Sequence, residues 1–122
     1  MNVKLLRKIK KHILEEPKRF YMPAFIKRKK EGGLFPNRYP SCGTVGCFAG
    51  WACLLAKGMN FHGDEYKTGR KLLNLTGAQA VRLFTYQIPK SFDGLGAGDG
   101  TAKTAKIAAA RIEHFIKTKG KE

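Results

Sequence analysis

The sequence predicts an all-α protein, a compact bundle of about five helices around a central apolar helix at about residues 44–57. Three observations lead to this prediction. Apolar residues recur at helical spacing in several segments, no segment of convincing length alternates between apolar and polar residues, and residues 41–56 carry no charge. A chain of 122 residues with 43% hydrophobic content is long enough for one domain over residues 1–122.

The first predicted helix covers residues 2–15, with Asn2 as its N-cap and Pro17 as its end signal. Lysines fill most of the positions around its apolar stripe, which consists of Leu5, Leu6, Ile9, Ile13 and Leu14. Residues 16–41 are then expected to form an irregular basic connection, because prolines and a glycine pair interrupt any longer periodicity. Within this connection, a short helix is expected at about residues 23–30.

The central helix is predicted to begin at a cap supplied by Ser41 or Thr44 and to end before Gly58. It is apolar around most of its circumference, which predicts burial on several sides. Its small residues recur every three or four positions and form a shallow face that another helix can approach closely, namely Gly46, Ala49, Gly50 and Cys53. A helical glycine costs up to about 1 kcal/mol relative to alanine, so close packing would explain their presence.

Two further helices are predicted on either side of a tight turn. The first covers residues 64–74 and begins with acidic side chains that suit its positive N-terminal end. The second follows a capping box formed by Thr76 and Gln79. This order also occurs in DNA-reading helix-turn-helix proteins, but only Gln79 and Arg82 are suited to contact bases. Two packed helices with a capped turn are therefore the favoured interpretation.

The last predicted helix begins near Thr101 and runs to about Lys117, and residues 118–122 are expected to fray. The preceding stretch "DGLGAGDGTAKT" contains neither the Gly-Lys-Ser/Thr ending of a Walker loop nor the glycine spacing of a dinucleotide fingerprint. It is therefore predicted to be a surface loop.

The charge distribution points to an anionic partner. The chain has 24 basic and 9 acidic residues and a formal net charge of +15, and half of its basic residues lie within the first 38 positions. Such a field attracts polyanions. The candidate phosphate-binding residues are Lys27, Arg28, Lys29, Lys30 and Arg38, and the candidate base-stacking residues are Tyr21 and Tyr39.

The cysteines suggest neither a metal site nor a catalytic one. Their positions do not form the two closely spaced ligand pairs of a common structural zinc site, and the three histidines are scattered. No sequence signature supplies a base for a cysteine nucleophile. We therefore expect no metal, no cofactor and no enzymatic activity. Cys42, Gly43 and Thr44, at the expected positive end of the central helix, remain a candidate small-ligand pocket.

The first residues, "MNVKLLRKIKK", are charged where a signal peptide would be apolar, and no apolar run is long enough to span a membrane. A cytoplasmic location with reduced thiols and no membrane contact is therefore expected.

Three segments together resemble a family of small, uncharacterised bacterial and phage proteins. They are "CGTVGCFAGWA" at 42–52, "LLNLTGAQAVRLF" at 72–84 and "AAARIEHFIK" at 108–117. They match a Cys-Gly-Thr-x-x-Cys-x-Ala-Gly helix, a Leu-x-Leu-Thr helical turn and a terminal Ala-Ala-Arg-Ile-x-His-Phe helix, over about the last two-thirds of the chain. The resemblance implies a fold, but no particular chemistry.

The leading functional hypothesis is a non-enzymatic binding protein for a phosphate-rich anion, with nucleic acid as the first candidate. The alternative is a phage-type accessory or counter-defence protein that sequesters a nucleotide signal or blocks an acidic host protein. The third is an enzyme that depends on a cysteine or a metal. Each of the three is compatible with a homodimer.

Overall fold

The structure is a computed structural model that describes residues 1–20, 26–28, 44–84 and 102–121, with only the backbone described at 26–28, 44–46 and 102. These residues form five helices, one 3₁₀ turn and one short two-stranded ladder, and the predicted all-α class is confirmed. The helices are α1 (Val3–Glu15), α2 (Phe48–Lys57), α3 (Glu65–Leu72), α4 (Gly77–Phe84) and α5 (Ala102–Lys117); the 3₁₀ turn is Pro17–Arg19, and the strands are β1 (Ile26–Arg28) and β2 (Thr44–Gly46).

Helix α1 begins where the sequence predicted. The Asn2 side-chain oxygen accepts a hydrogen bond from the Leu5 N–H at 3.0 Å, as an N-cap does. The same side chain donates to the Leu72 carbonyl at 3.0 Å, so the cap also ties α1 to the end of α3. The predicted stripe is buried except for Leu14, which is 41% exposed. Leu14 lies about 100° around the helix axis from Ile13, away from the core.

Helix α2 is the central helix, and every residue from Phe48 to Leu54 is buried. It begins at Phe48 with Cys47 as its N-cap, so the predicted start near residue 44 is wrong. Thr44–Gly46 instead pairs antiparallel with Ile26–Arg28, in the register Ile26↔Gly46 and Arg28↔Thr44. The β-branched residues of β2 suit this extended backbone. The same pairing replaces the short helix predicted at 23–30 with strand at 26–28.

The shallow face of α2 receives α3 at very short range. A Cβ atom added to Gly69 would lie 3.2 Å from the Ala49 carbonyl oxygen and 3.3 Å from the Ala49 Cα. One turn further along α2, the Cys53 thiol donates to the Glu65 carbonyl at 3.5 Å. The predicted close approach is therefore confirmed at Ala49 and Cys53, whereas Gly46 lies in β2.

The turn between α3 and α4 is built as the sequence predicted. The Gln79 N–H donates to the Thr76 hydroxyl at 3.2 Å, and the Thr76 N–H donates to the Gln79 side-chain oxygen at 2.9 Å. Before it, α3 ends in a Schellman motif with Asn74 at a φ of 52°, because the Leu75 N–H reaches back to the Arg70 carbonyl.

Residues 118–121, for which the sequence predicts fraying, turn back onto α4. The Gln79 amide donates to the Lys119 carbonyl at 3.1 Å, and the Arg82 guanidinium donates to the Gly120 carbonyl at 3.0 Å. The tail follows the Schellman motif that ends α5, in which Lys119 has a φ of 56°. The two side chains that a base-reading α4 would need are thus bonded to the tail, which disfavours the helix-turn-helix interpretation.

Among the helices of the described residues, none combines the length and the apolar character that crossing a membrane requires.

Deletion of residues 118–122 is expected to lower the free energy of unfolding by about 1–3 kcal/mol, because the helix cap and two side-chain hydrogen bonds are lost. Urea unfolding measures the change. The substitution Lys121→Ala is the control, because Lys121 is exposed and the tail keeps its bonds to Gln79 and Arg82. Equal stability of the truncated and full-length proteins would show that the tail contributes nothing.

Candidate anion-binding site

The structure describes three of the predicted site residues. Lys27 and Arg28 lie in β1, and Thr44 lies in β2. The other predicted anion-binding residues, Lys29, Lys30, Arg38, Tyr21 and Tyr39, lie outside the described residues, as do Cys42 and Gly43 of the predicted pocket.

The ladder brings two separately predicted candidate sites together. Arg28 stands directly opposite Thr44 in the antiparallel register, and Lys27 stands opposite Val45. Cα atoms paired in this way lie about 4.5–5.5 Å apart. Arg28 of the basic segment and Thr44 of the "CGT" stretch are therefore neighbours, although 15 intervening positions separate them in the chain.

The described residues before β1 and those after its partner strand β2 both belong to the core. On one side, Phe20 is fully buried with its ring centroid 5.1 Å from that of Phe48. On the other side, β2 leads directly into buried Cys47 and α2. Backbone pairing with β2, which leads into the buried start of α2, therefore places β1 next to the core.

Trp51 holds the residues before the basic segment in place. Its indole N–H donates to the Arg19 carbonyl at 2.9 Å, and the Arg19 guanidinium carbon lies 4.7 Å from the centroid of the Trp51 ring. The His12 ring lies 4.2 Å from the same ring, and Arg19 also bonds to the Glu16 carboxylate at 2.8 Å. No sequence pattern indicates this cluster, because its members meet only when α1 packs against α2.

The electrostatics of this cluster keep His12 neutral. Burial lowers the pKa of the His12 imidazole below its usual value, and the Arg19 cation lowers it further. The hydrogen bond from Arg19 lowers the pKa of the Glu16 carboxyl. A neutral imidazole can pack against the Trp51 ring without the desolvation cost of a second buried cation beside Arg19.

The positive N-terminal end of α2 lies at Cys47, so the reason for placing a pocket at Cys42–Thr44 is wrong. Thr44 is extended because it belongs to the ladder, and the helix begins four residues later. At the actual N-cap, burial raises the pKa of the Cys47 thiol to about 11, although backbone N–H groups oppose the effect. Burial also raises the pKa of the Cys53 thiol to about 12.

Both of these thiols are therefore protonated at neutral pH and unsuited to act as nucleophiles. Within the described residues, no group of three or more His, Cys, Asp or Glu side chains is placed to hold a metal ion.

Acidic side chains in the described ranges neutralise only part of the basic surface. Glu113 bonds to Lys10 at 3.0 Å and lies 3.5 Å from Arg7, while Glu15 pairs with Lys11 at 3.9 Å. Exposed lysines occur on α1, α2, α3 and α5 and in the tail: Lys4, Lys8, Lys11, Lys57, Lys67, Lys71, Lys103, Lys106, Lys117, Lys119 and Lys121. The positive surface is thus wider than the segment that the sequence pattern indicated.

Comparison with known protein families, with curated proteins and with solved structures finds no match to this chain.

The pKa shift of His12 predicts a pH dependence of stability. The folded-state pKa lies below that of the unfolded chain, so the unfolded state takes up the proton first as pH falls. The free energy of unfolding should therefore decrease as the pH falls below about 6.5. Urea unfolding at several pH values measures this free energy, and the substitution His12→Gln should make its decrease at low pH smaller. The exposed His62→Gln is the control, and equal slopes in wild type and His12→Gln would contradict the prediction.

The buried thiols predict a simple labelling result. In a Cys42→Ser variant, Cys47 and Cys53 should react slowly with Ellman's reagent near neutral pH in the native state, because both thiols are buried and protonated. The same variant in guanidinium chloride should release both equivalents rapidly, which controls for the reagent. A fast native reaction would show that one of the two thiols is accessible.

Proposed function

We propose that this protein is a non-enzymatic binding protein for a phosphate-rich polyanion, nucleic acid in the first place, and that the basic segment beginning at β1 is its main contact. The observation that carries the proposal is the β1–β2 ladder. It joins Lys27 and Arg28 by backbone pairing to the stretch that leads into the buried central helix. A basic segment held in this way is positioned before its ligand arrives, which reduces the ordering cost of binding.

The charge balance supports the same proposal. Nine acidic residues face 24 basic ones, and among the described ion pairs a single carboxylate, Glu113, serves both Arg7 and Lys10. Phosphate contacts from lysine and arginine supply most of the free energy of non-specific nucleic-acid binding. The exposed lysines of the helices would extend the field that attracts the polyanion, while the strand sets where it is held.

The proposal requires no catalytic group. The two described thiols are protonated at neutral pH, so the alternative of a cysteine enzyme would depend on Cys42 alone. Membership of the small bacterial and phage family stays a prediction from the three matching segments.

The test is binding of fluorescein-labelled single-stranded DNA, single-stranded RNA and duplex DNA as a function of salt, measured by anisotropy. Affinity should fall steeply with salt, and the slope of log K against log [salt] should be about −0.7 to −0.9 per phosphate neutralised. Lys27→Glu/Arg28→Glu should weaken binding by about tenfold or more and reduce the slope by the equivalent of about two phosphates.

The matched control is Lys103→Glu/Lys106→Glu, which changes the net charge equally at exposed positions of α5. Equal losses in the two double variants would mean that general charge, not the basic segment, binds the polyanion. No binding at low salt would overturn the proposal altogether.

A further inference from the structure

A groove with lysines on one side and an aliphatic floor lies away from the β1–β2 ladder. It forms where the first turns of α1 meet the C-terminal ends of α2 and α3, and it has a volume of about 290 Å³. Leu5, Leu55 and Leu72 contribute its apolar surface, while Lys4 and Lys8 stand on the α1 side. Leu55 and Leu72 are only partly buried, so their side chains pack against the core and still reach the groove.

Two hydrogen bonds donated by Asn2 hold the shape of the groove. The Asn2 N–H donates to the Leu73 carbonyl at 2.7 Å, and the Asn2 side-chain amide donates to the Leu72 carbonyl at 3.0 Å. These two bonds join the beginning of α1 to the end of α3. The groove is therefore present before any ligand binds.

The charge of the groove is of one sign. Lys4 and Lys8 are exposed and one helical turn apart, and no acidic side chain is among the described residues that line the groove. The ion pairs that α1 forms within the described part of the chain involve Arg7, Lys10 and Lys11 instead. Arg7 and Lys10 reach Glu113 on α5, so one flank of α1 is neutralised within the protein and the other is not.

A second groove shows the contrast. It lies between α1 and α5, has a volume of about 480 Å³ and is larger than the first. Arg7, Lys117 and Glu113 line it, and the Arg7 guanidinium lies 3.5 Å from the Glu113 carboxylate. An anion that approached it would meet the Glu113 carboxylate. Of these two grooves, the one beside Lys4 and Lys8 has no lining carboxylate among its described residues and therefore suits an acidic ligand better.

We propose that the groove beside Lys4 and Lys8 docks an acidic amphipathic helix of a protein partner. The described residues of its floor are aliphatic, and none of them carries an aromatic ring on which a base could stack. Its volume of about 290 Å³ is at the lower limit of the usual range for small-molecule sites, and the leucine side chains of a helix need only shallow pockets. Lys4 and Lys8 lie about 6 Å apart along the axis of α1, which matches carboxylates spaced one turn apart on the partner.

This docking site goes beyond the proposed polyanion contact and does not depend on it. The probe is a synthetic helical peptide with leucine at positions i, i+3, i+4 and i+7 and glutamate elsewhere. Two peptides serve as controls, one with serine for each leucine and one with lysine for each glutamate. The full-length ¹⁵N-labelled protein is titrated, and shifts of amide signals are measured together with the Kd.

The expected result is a set of shifts concentrated at residues 2–8, 55–57 and 71–73, and weaker binding of both control peptides. Lys4→Glu/Lys8→Glu should raise the Kd by about tenfold or more. Lys103→Glu/Lys106→Glu has the same net charge and should bind nearly as well as wild type. Thermal unfolding of both variants verifies that each is folded.

Three outcomes would overturn the proposal. Shifts spread over the whole surface, or equal losses in the two double variants, would mean that the peptide responds only to net charge. Shifts of the groove signals by an oligonucleotide but not by the peptide would assign the groove to nucleic acid. A dimer that dissociates on Lys4→Glu/Lys8→Glu substitution would show that a second copy of the chain covers the groove.

Discussion

Helix α2 leaves no face to solvent over most of its length, because Phe48 to Leu54 are all buried, and the other elements are arranged to cover it. α3 approaches it at Ala49, so closely that a Cβ atom on Gly69 would lie 3.2 Å from the Ala49 carbonyl oxygen. α1 covers another side, with His12 against the Trp51 ring. Loss of any of these partners would expose apolar surface at a cost of roughly 25 cal/mol per Å².

Trp51 connects this core to the candidate site. Its indole N–H donates to the Arg19 carbonyl and so positions the chain at the end of the 3₁₀ turn, seven positions before Ile26, where β1 begins. On the far side of the ladder, β2 leads directly into Cys47, the N-cap of α2. The basic strand is therefore held next to the core by its pairing with β2, and its proposed function depends on the burial of α2 as well as on its own charge.

The two flanks of α1 differ in how far their positive charge is neutralised within the protein. Glu113 neutralises the flank that faces α5, and Glu113 itself is kept ionised because the Lys10 ammonium lowers its pKa. The flank with Lys4 and Lys8 has no such neighbour among the lining residues of its groove. A protein with a formal charge of +15 can accommodate this because the lysines whose side chains the structure describes, except Lys10, are exposed to water. The proposed partner surfaces follow from that arrangement.

Local chemistry made several elements predictable. Asn2, the Thr76 and Gln79 pair and the apolar stripe of α1 act through neighbours within about one helical turn, and the structure has them as expected. The absence of charge over residues 41–56 likewise predicted the buried central helix. The helix begins later than the sequence predicts, because pairing with a strand 18 positions earlier competes with helix formation at Thr44–Gly46.

By itself, then, the sequence determined the helical class, most helix bounds, the caps at Asn2 and Thr76 and the large positive charge, all of which depend on residue type and short-range spacing. The tertiary structure alone decided the β1–β2 ladder, the contacts of Gln79 and Arg82 with the tail, and the unneutralised groove beside Lys4 and Lys8. These features join residues that are distant in the chain. Their pairing depends on which helix faces meet in the folded bundle, a choice made by the burial of the whole core rather than by any local pattern.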